Sequence, residues 1–301
     1  MTKPRGVPVE LDRVRTRDGV WLDGIVAEPR GGRRRAVLWI HGLGSSFASG
    51  QPLTRELSAR ITAAGMAYFK FNTRGHDTVS RAGTRLAGAA LEPFTRCVED
   101  IRAVIGLAAR RGYAEVVLAG HSTGANKALH YMARTRDRRV RLLMLLGPIA
   151  DIAGESTRIG AAELRRRVAR AERIAARDPD ALIPRAWGFW SARRYLSLYR
   201  PGGAEDVFPY YRPGARWTTL GRLRAPLAVV IGERDEYLDR PATDVIRALE
   251  RHATGARAFT GTVIPRAGHG FQGREVALAD AMLAILGRRV SPRRRDGRAS
   301  A

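Results

Sequence analysis

Cysteine is almost absent. The 301 residues contain one, Cys97, so no internal disulfide can form and a small disulfide-stapled scaffold is excluded. Cys97 falls in an amphipathic helical pattern and is expected to be a small buried apolar residue. Long apolar runs are missing too, and nothing approaches the roughly 18–20 residues of a membrane-spanning helix. The first residues carry basic groups but no apolar segment behind them, so no secretory signal is expected and a cytoplasmic setting is. Lysine is nearly as scarce: only Lys3, Lys70 and Lys127 stand among 53 basic residues, the rest being arginine. The formal net charge is nevertheless +24. Arginine is dispersed over most expected helices, with short runs at 33–35, 165–167 and 293–295, and no nucleic-acid motif accompanies it. That pattern reads as solvated surface, with weak anion or membrane-surface association as the alternative. No specific nucleic-acid partner is expected. The six histidines show no metal-ligand spacing, so neither a metal nor a cofactor is expected.

What remains is ordinary globular composition arranged in alternating apolar runs and amphipathic helices. Residues 8–29 read as two alternating strands joined at Asp18-Gly19, a hairpin signal. Buried-strand patterns follow at 36–40, 66–71, 116–119, 140–146, 226–231 and 258–264, separated by helical patterns at 52–65, 94–111, 241–252 and 274–287. Such alternation predicts an α/β fold: a doubly wound, mostly parallel sheet with helices on both faces. Between 151 and 224 no strand pattern occurs. A long Arg/Ala/Glu helix at 161–177 and a cluster of aromatics suggest a helical cap inserted into a core formed by 1–150 and 225–290. The basic tail, 291–301, is expected to be disordered.

The chemistry-bearing stretch is Gly120-His121-Ser122-Thr123-Gly124, placed between an apolar strand and a helix. A serine on so sharp a turn tolerates little beside it, hence glycine two residues either side. The helix behind it aims its N-terminal amides at the point where an oxyanion would develop. Asp235 and His269 follow later in the chain, each just after an expected strand. In a doubly wound sheet those positions converge on one edge. His269 would take the proton of Ser122, and Asp235 would orient the imidazole. Asp151, after the preceding strand, is the alternative acid; Asp235 is preferred because it lies three residues beyond Gly232. In His41-Gly42-Leu43-Gly44 the glycines allow close backbone approach. The N–H groups of Leu43 and Thr123 are the expected oxyanion donors. His41, Trp187, Trp190, Tyr195 and Tyr199 are candidate pocket residues, although the cap aromatics could equally serve only to pack the cap.

Together these motifs resemble the α/β-hydrolase-fold serine hydrolases over residues 8–288. The Asn72-Thr73-Arg74-Gly75-His76 segment is similar to the Arg-Gly loop after the fourth strand of such enzymes. His41-Gly42-Leu43-Gly44-Ser45-Ser46, the serine pentapeptide and Gly232-Glu233-Arg234-Asp235-Glu236-Tyr237 also resemble the family containing fungal siderophore (fusarinine-type) esterases. The resemblance implies hydrolysis of a small-molecule carboxylic ester through an acyl-serine. Acyl transfer, lactonisation and thioester cleavage use the same residues and stay open, as does a non-catalytic or basic-surface binding protein. Nothing in the sequence specifies an oligomeric state.

Overall fold

The alternation of apolar positions along the strands sets the architecture. The computed structural model describes residues 6–31 and 34–287; Lys3, Arg33, the run at 293–295 and the expected disordered tail lie outside them. Ten strands form: β1 (Glu10–Arg15), β2 (Trp21–Ala27), β3 (Arg35–Ile40), β4 (Ala67–Phe71), β5 (Ser80–Ala82), β6 (Arg85–Ala87), β7 (Glu115–His121), β8 (Val140–Leu146), β9 (Leu227–Gly232) and β10 (Phe259–Ile264). Eight of them make one sheet in the order β1-β2-β4-β3-β7-β8-β9-β10. Pairing is parallel from β4 to β10, and β2 alone runs against its neighbours on both sides. Strands β5 and β6 form a separate small hairpin that the sequence pattern had not suggested.

Because side chains alternate across a strand, an unbroken apolar run fills two cores at once. Ala36, Leu38 and Ile40 of β3 enter one cluster, with Leu118 of β7 and Val229 of β9. Val37 and Trp39 enter the other, with Ala119 and Val230. Helices α2 (Cys97–Arg110), α3 (Thr123–Thr135) and α8 (Ala242–His252) cover the first face through Ile101, Leu129 and Val245. Helices α1 (Gln51–Ala63) and α9 (Glu275–Gly287) cover the second through Leu57 and Met282. Cys97 is fully buried. The strands were long enough, and apolar enough on both faces, for the sequence to specify a sheet sandwiched by helices.

Between β8 and β9 the chain forms α4 (Asp151–Ile159), α5 (Ala161–Ala175), α6 (Ala192–Tyr199) and the single turn α7 (Thr218–Gly221). Helix α4 was not evident in the sequence, where its short polar composition, Asp-Ile-Ala-Gly-Glu-Ser-Thr-Arg-Ile, gives little periodic signal. Helix α5 packs chiefly on α6 and α4, and these helices enclose a small apolar cluster of their own.

Candidate active site

The carboxyl ends of β3, β7, β8, β9 and β10 open on one edge of the sheet, and the loops leaving them build a cavity of about 370 Å³. Ser122 stands at the turn from β7 into α3 with φ 57° and ψ −130°, a backbone conformation that costs on the order of 1–3 kcal/mol for a residue with a side chain. The flanking glycines make that turn possible. A Cβ on Gly120 would lie 2.2 Å from the Gly124 carbonyl oxygen, and one on Gly124 would lie 2.3 Å from that of Ile40. Gly42 is excluded from carrying a side chain for the same reason, its Cβ position being 2.8 Å from Ser122 Cβ.

Asp235, in the loop after β9, and His269, after β10, meet beside the serine. His269 Nδ1–H donates to Asp235 Oδ2 at 2.9 Å, and the Tyr237 N–H donates to Asp235 Oδ1 at 3.1 Å. The Asp235 carboxylate is thus engaged on both oxygens and almost wholly buried. Asp151 is not a hydrogen-bond partner of His269; it lies elsewhere on the cavity wall. His269 Nε2 is buried and has no hydrogen-bond partner. Ser122 Oγ does not hydrogen-bond His269 Nε2, although both residues line the same cavity. Such bonds commonly tighten only when substrate is bound.

The loop after β3 is held from beneath by His41, which is 1% exposed. The Thr73 N–H donates to His41 Nε2 at 2.9 Å, so the ring proton sits on Nδ1, which donates to the Gly42 carbonyl at 2.9 Å. In a planar trans peptide the Gly42 C=O and the Leu43 N–H point opposite ways. Drawing the carbonyl inward therefore turns the Leu43 N–H away from His41, and Leu43 lines the cavity. Burial, reinforced by the Lys127 charge, pushes His41 down to about 3, which keeps it neutral and preserves this tautomer. Thr123, the first residue of α3, has no intrahelical carbonyl for its own N–H and also lines the cavity.

The remaining expectations for the pocket are corrected by the structure. His41 is a buried prop and does not touch the cavity. Trp187, Trp190, Tyr195 and Tyr199 do not line it either. Tyr195 is fully buried against Ala171, Ile183 and Leu196, and the other three pack on that cluster. These four aromatics pack together with Val168, Ala171 and Leu196 in the seam between α5 and α6.

Several residues at the site gave no sequence signal that was read. His121 Nε2–H donates to the His269 carbonyl at 2.8 Å, and burial followed by the proximity of His269 pushes His121 down to about 4. The Glu236 carboxylate accepts the His269 N–H at 2.9 Å. Behind the serine lies a buried ionic chain. Lys127 pairs with Glu92 at 2.7 Å and donates to Thr73 Oγ1 at 3.1 Å. Arg194 of α6 pairs with Glu205 and reaches Glu92 at 3.9 Å. Burial alone would raise Glu92, but Lys127 and Arg194 hold its carboxyl below the usual range. The one lysine inside an apolar helix pattern, Lys127, was the legible hint; its partners are scattered across the chain. Arg74, of the Arg-Gly loop, is spent on structure, bridging Asp18 and Asp100.

A parallel sheet with one reversed strand, a strained serine at the β7–α3 turn, and an acid and histidine after the last two strands define the α/β-hydrolase fold. Solved structures of that fold bear this out. The siderophore hydrolase EstB from Aspergillus fumigatus superposes at TM-score 0.66 with 19% identity, covering 94% of this chain and 98% of its own. The Pyrococcus furiosus esterase PF2001 gives 0.62 with 17% identity, covering 95% and 92%. Est1E from Butyrivibrio proteoclasticus, solved with ferulic acid, gives 0.63 with 17% identity, covering 91% and 97%. No curated protein matches the sequence. The chain belongs to the DUF1749 family, described as a protein of unknown function, whose model matches residues 22–286.

Proposed function

We propose that the protein is a serine hydrolase that cleaves a carboxylic ester through an acyl-serine intermediate. The observation that carries this reading is the unpartnered, buried His269 Nε2 facing the same cavity as Ser122, its other nitrogen held by Asp235. Ser122 Oγ attacks the ester carbonyl carbon as its proton passes to His269 Nε2. The carbonyl oxygen becomes an oxyanion facing the N–H groups of Leu43 and Thr123, donors worth about 3–4 kcal/mol each in comparable sites. The bond to the alcohol oxygen then breaks, and the His269 proton leaves with the alcohol. Water attacks the acyl-serine, yields a proton to His269, and releases the carboxylic acid with Ser122 restored. Residues 151–224 act as a cap on the 1–150 and 225–290 core, contributing Asp151 to the cavity.

That the similar structures include an esterase, PF2001, and a siderophore hydrolase, EstB, supports the same class of reaction. The test is covalent labelling by a fluorophosphonate followed by mapping of the modified residue. Labelling of Ser122, accompanied by turnover of p-nitrophenyl esters, is expected; labelling elsewhere, or none, would overturn the assignment.

A further inference from the structure

We propose that the ester accepted by this cavity carries a positive charge, an alkylammonium or quaternary ammonium group, held by the Asp151 and Glu236 carboxylates. This rests on the reading of the cavity as a serine-hydrolase site and goes on to name its substrate class.

The first observation is where arginine is missing. The chain has 53 lysines and arginines against 29 acids, yet no lysine or arginine is among the residues lining the cavity, whereas Asp151 and Glu236 both are. A wall of that composition repels an anionic ester and focuses a cationic one. The second is that the two carboxyls are unequally engaged. Glu236 Oε2 accepts the His269 N–H, which fixes the side chain and leaves Oε1 uncommitted. No side chain among the described residues hydrogen-bonds the Asp151 carboxyl, although it begins α4, where the helix dipole favours an anion. A carboxyl on a cavity wall whose hydrogen bonding is limited to its own backbone keeps acceptor capacity for a donor from the ligand. Third, the cavity is built to hold a ligand, since His269 Nε2, in a residue only 7% exposed, is unpartnered there. Tyr237, half exposed with its ring 4.6 Å from that of His269, adds an aromatic surface on which a quaternary ammonium can rest.

The charges around Asp151 agree with this. Burial and the neighbouring Glu205 push its carboxyl up to about 8, while Arg194 pulls it the other way, so that without a ligand it is largely protonated at neutral pH and Glu236 is the other acidic group on the wall. A cation placed beside it restores the ionised form, so binding releases a proton where the carboxyl was protonated.

The test uses the full-length protein and ester pairs matched in shape but not in charge. Butyrylcholine against 3,3-dimethylbutyl butyrate probes the alcohol arm. Ethyl 6-aminohexanoate, ethyl heptanoate and monoethyl pimelate probe the acyl arm. In at least one arm the cationic ester should exceed its neutral partner by about tenfold or more in kcat/KM, with the anionic ester slowest, and the ratio should shrink at high salt. Asp151→Asn should collapse the cationic-to-neutral ratio to about twofold, and Asp151→Lys should favour the anionic ester. Where a variant fails to fold, the series on the unmodified protein still decides. Equal turnover across charge in both arms, with Ser122 labelled by fluorophosphonate, overturns the charge recognition and leaves the hydrolase standing. Failure of labelling as well overturns both.

Discussion

The edge that carries the candidate site and the 151–224 insertion are assembled on opposite principles. At the edge, residues from five loops converge because parallel strands end together; the walls mix polar and apolar surface and include two carboxyls. In the 151–224 insertion, Trp187, Trp190 and Tyr199 pack around Tyr195, while Phe208 and Tyr210 join the main core. Abundance of aromatics near an active edge is thus a poor guide to who lines it. The two regions are joined by charge: Glu92 and Lys127 beneath the edge meet Arg194 and Glu205 of the cap, all almost fully buried.

The largest expected effect separates the edge from everything else. Ser122→Ala should lose fluorophosphonate labelling entirely and essentially all ester turnover. Asp235→Asn should lose as much as about 10⁴ in kcat on a neutral ester, because the amide favours the wrong imidazole tautomer. Circular dichroism on both variants would show whether the fold is retained. Asp151→Asn is distinguished by the substrate charge it discriminates, not by loss of the relay. An enzyme crippled on neutral esters by Asp151→Asn but not by Asp235→Asn would move the acid to the end of β8.

Next in size is the buried ionic chain. Removing one partner from a buried pair leaves an uncompensated charge, and such losses run about 3–5 kcal/mol. Glu92→Gln, leaving Lys127 and Arg194 opposed to Glu205 alone, should lower unfolding stability by about that amount in urea titration. A loss under about 1 kcal/mol would mean that water or rearrangement replaces Glu92, and that edge and cap are not joined in the manner described.

How much of this was legible beforehand differs by region for a physical reason. The sheet was readable because a strand buried on both faces must be apolar throughout, as in the runs at 36–40 and 140–146. Ser122, Asp235 and His269 could be placed together as candidates because each follows such a run, and strand ends converge by topology. Contacts that depend on side chains from unrelated segments left no local pattern. Lys127 with Glu92, and Arg194 with Glu205, obey no spacing rule. Nor does any periodicity separate an aromatic that lines a cavity from one that seals a cap, which is why Trp187, Trp190, Tyr195 and Tyr199 were misplaced. His41 was misplaced for the opposite reason. Gly42 and Leu43, the next two residues, line the cavity, while the His41 ring is buried beneath the loop against Thr73.

The cap aromatics give the third test. Tyr195→Leu should destabilise by about 2 kcal/mol through loss of packing. The ratio of kcat/KM between short and long acyl esters should stay within about twofold of the unmodified protein. A change in chain-length preference larger than about tenfold would put Tyr195 back at the substrate.

The smallest effect is a slope, and it isolates the edge from the cap by pH. His41 is held at about 3 in the folded chain, against about 6.5 when unfolded. Between those values the unfolded state binds a proton that the folded state refuses, so stability rises with pH. The contribution of His41 is therefore complete above about 6.5 and is lost as the pH falls below it. Between pH 6 and pH 5 the loss amounts to about 1 kcal/mol. His121, held at about 4, acts in the same direction, while the raised Asp151 carboxyl opposes both, since it binds its proton more tightly when folded. Those two contributions are common to the unmodified protein and to His41→Gln, so the difference between their slopes belongs to His41. Urea unfolding at pH 6 and pH 5 should show His41→Gln less sensitive to acid by about 1 kcal/mol, and Tyr195→Leu no less sensitive than the unmodified protein. Identical slopes for His41→Gln and the parent would mean that His41 is protonated in the folded state. The Nδ1–H tautomer would then no longer be what fixes the Gly42 carbonyl, and the account of how Leu43 is turned toward the cavity would fail with it.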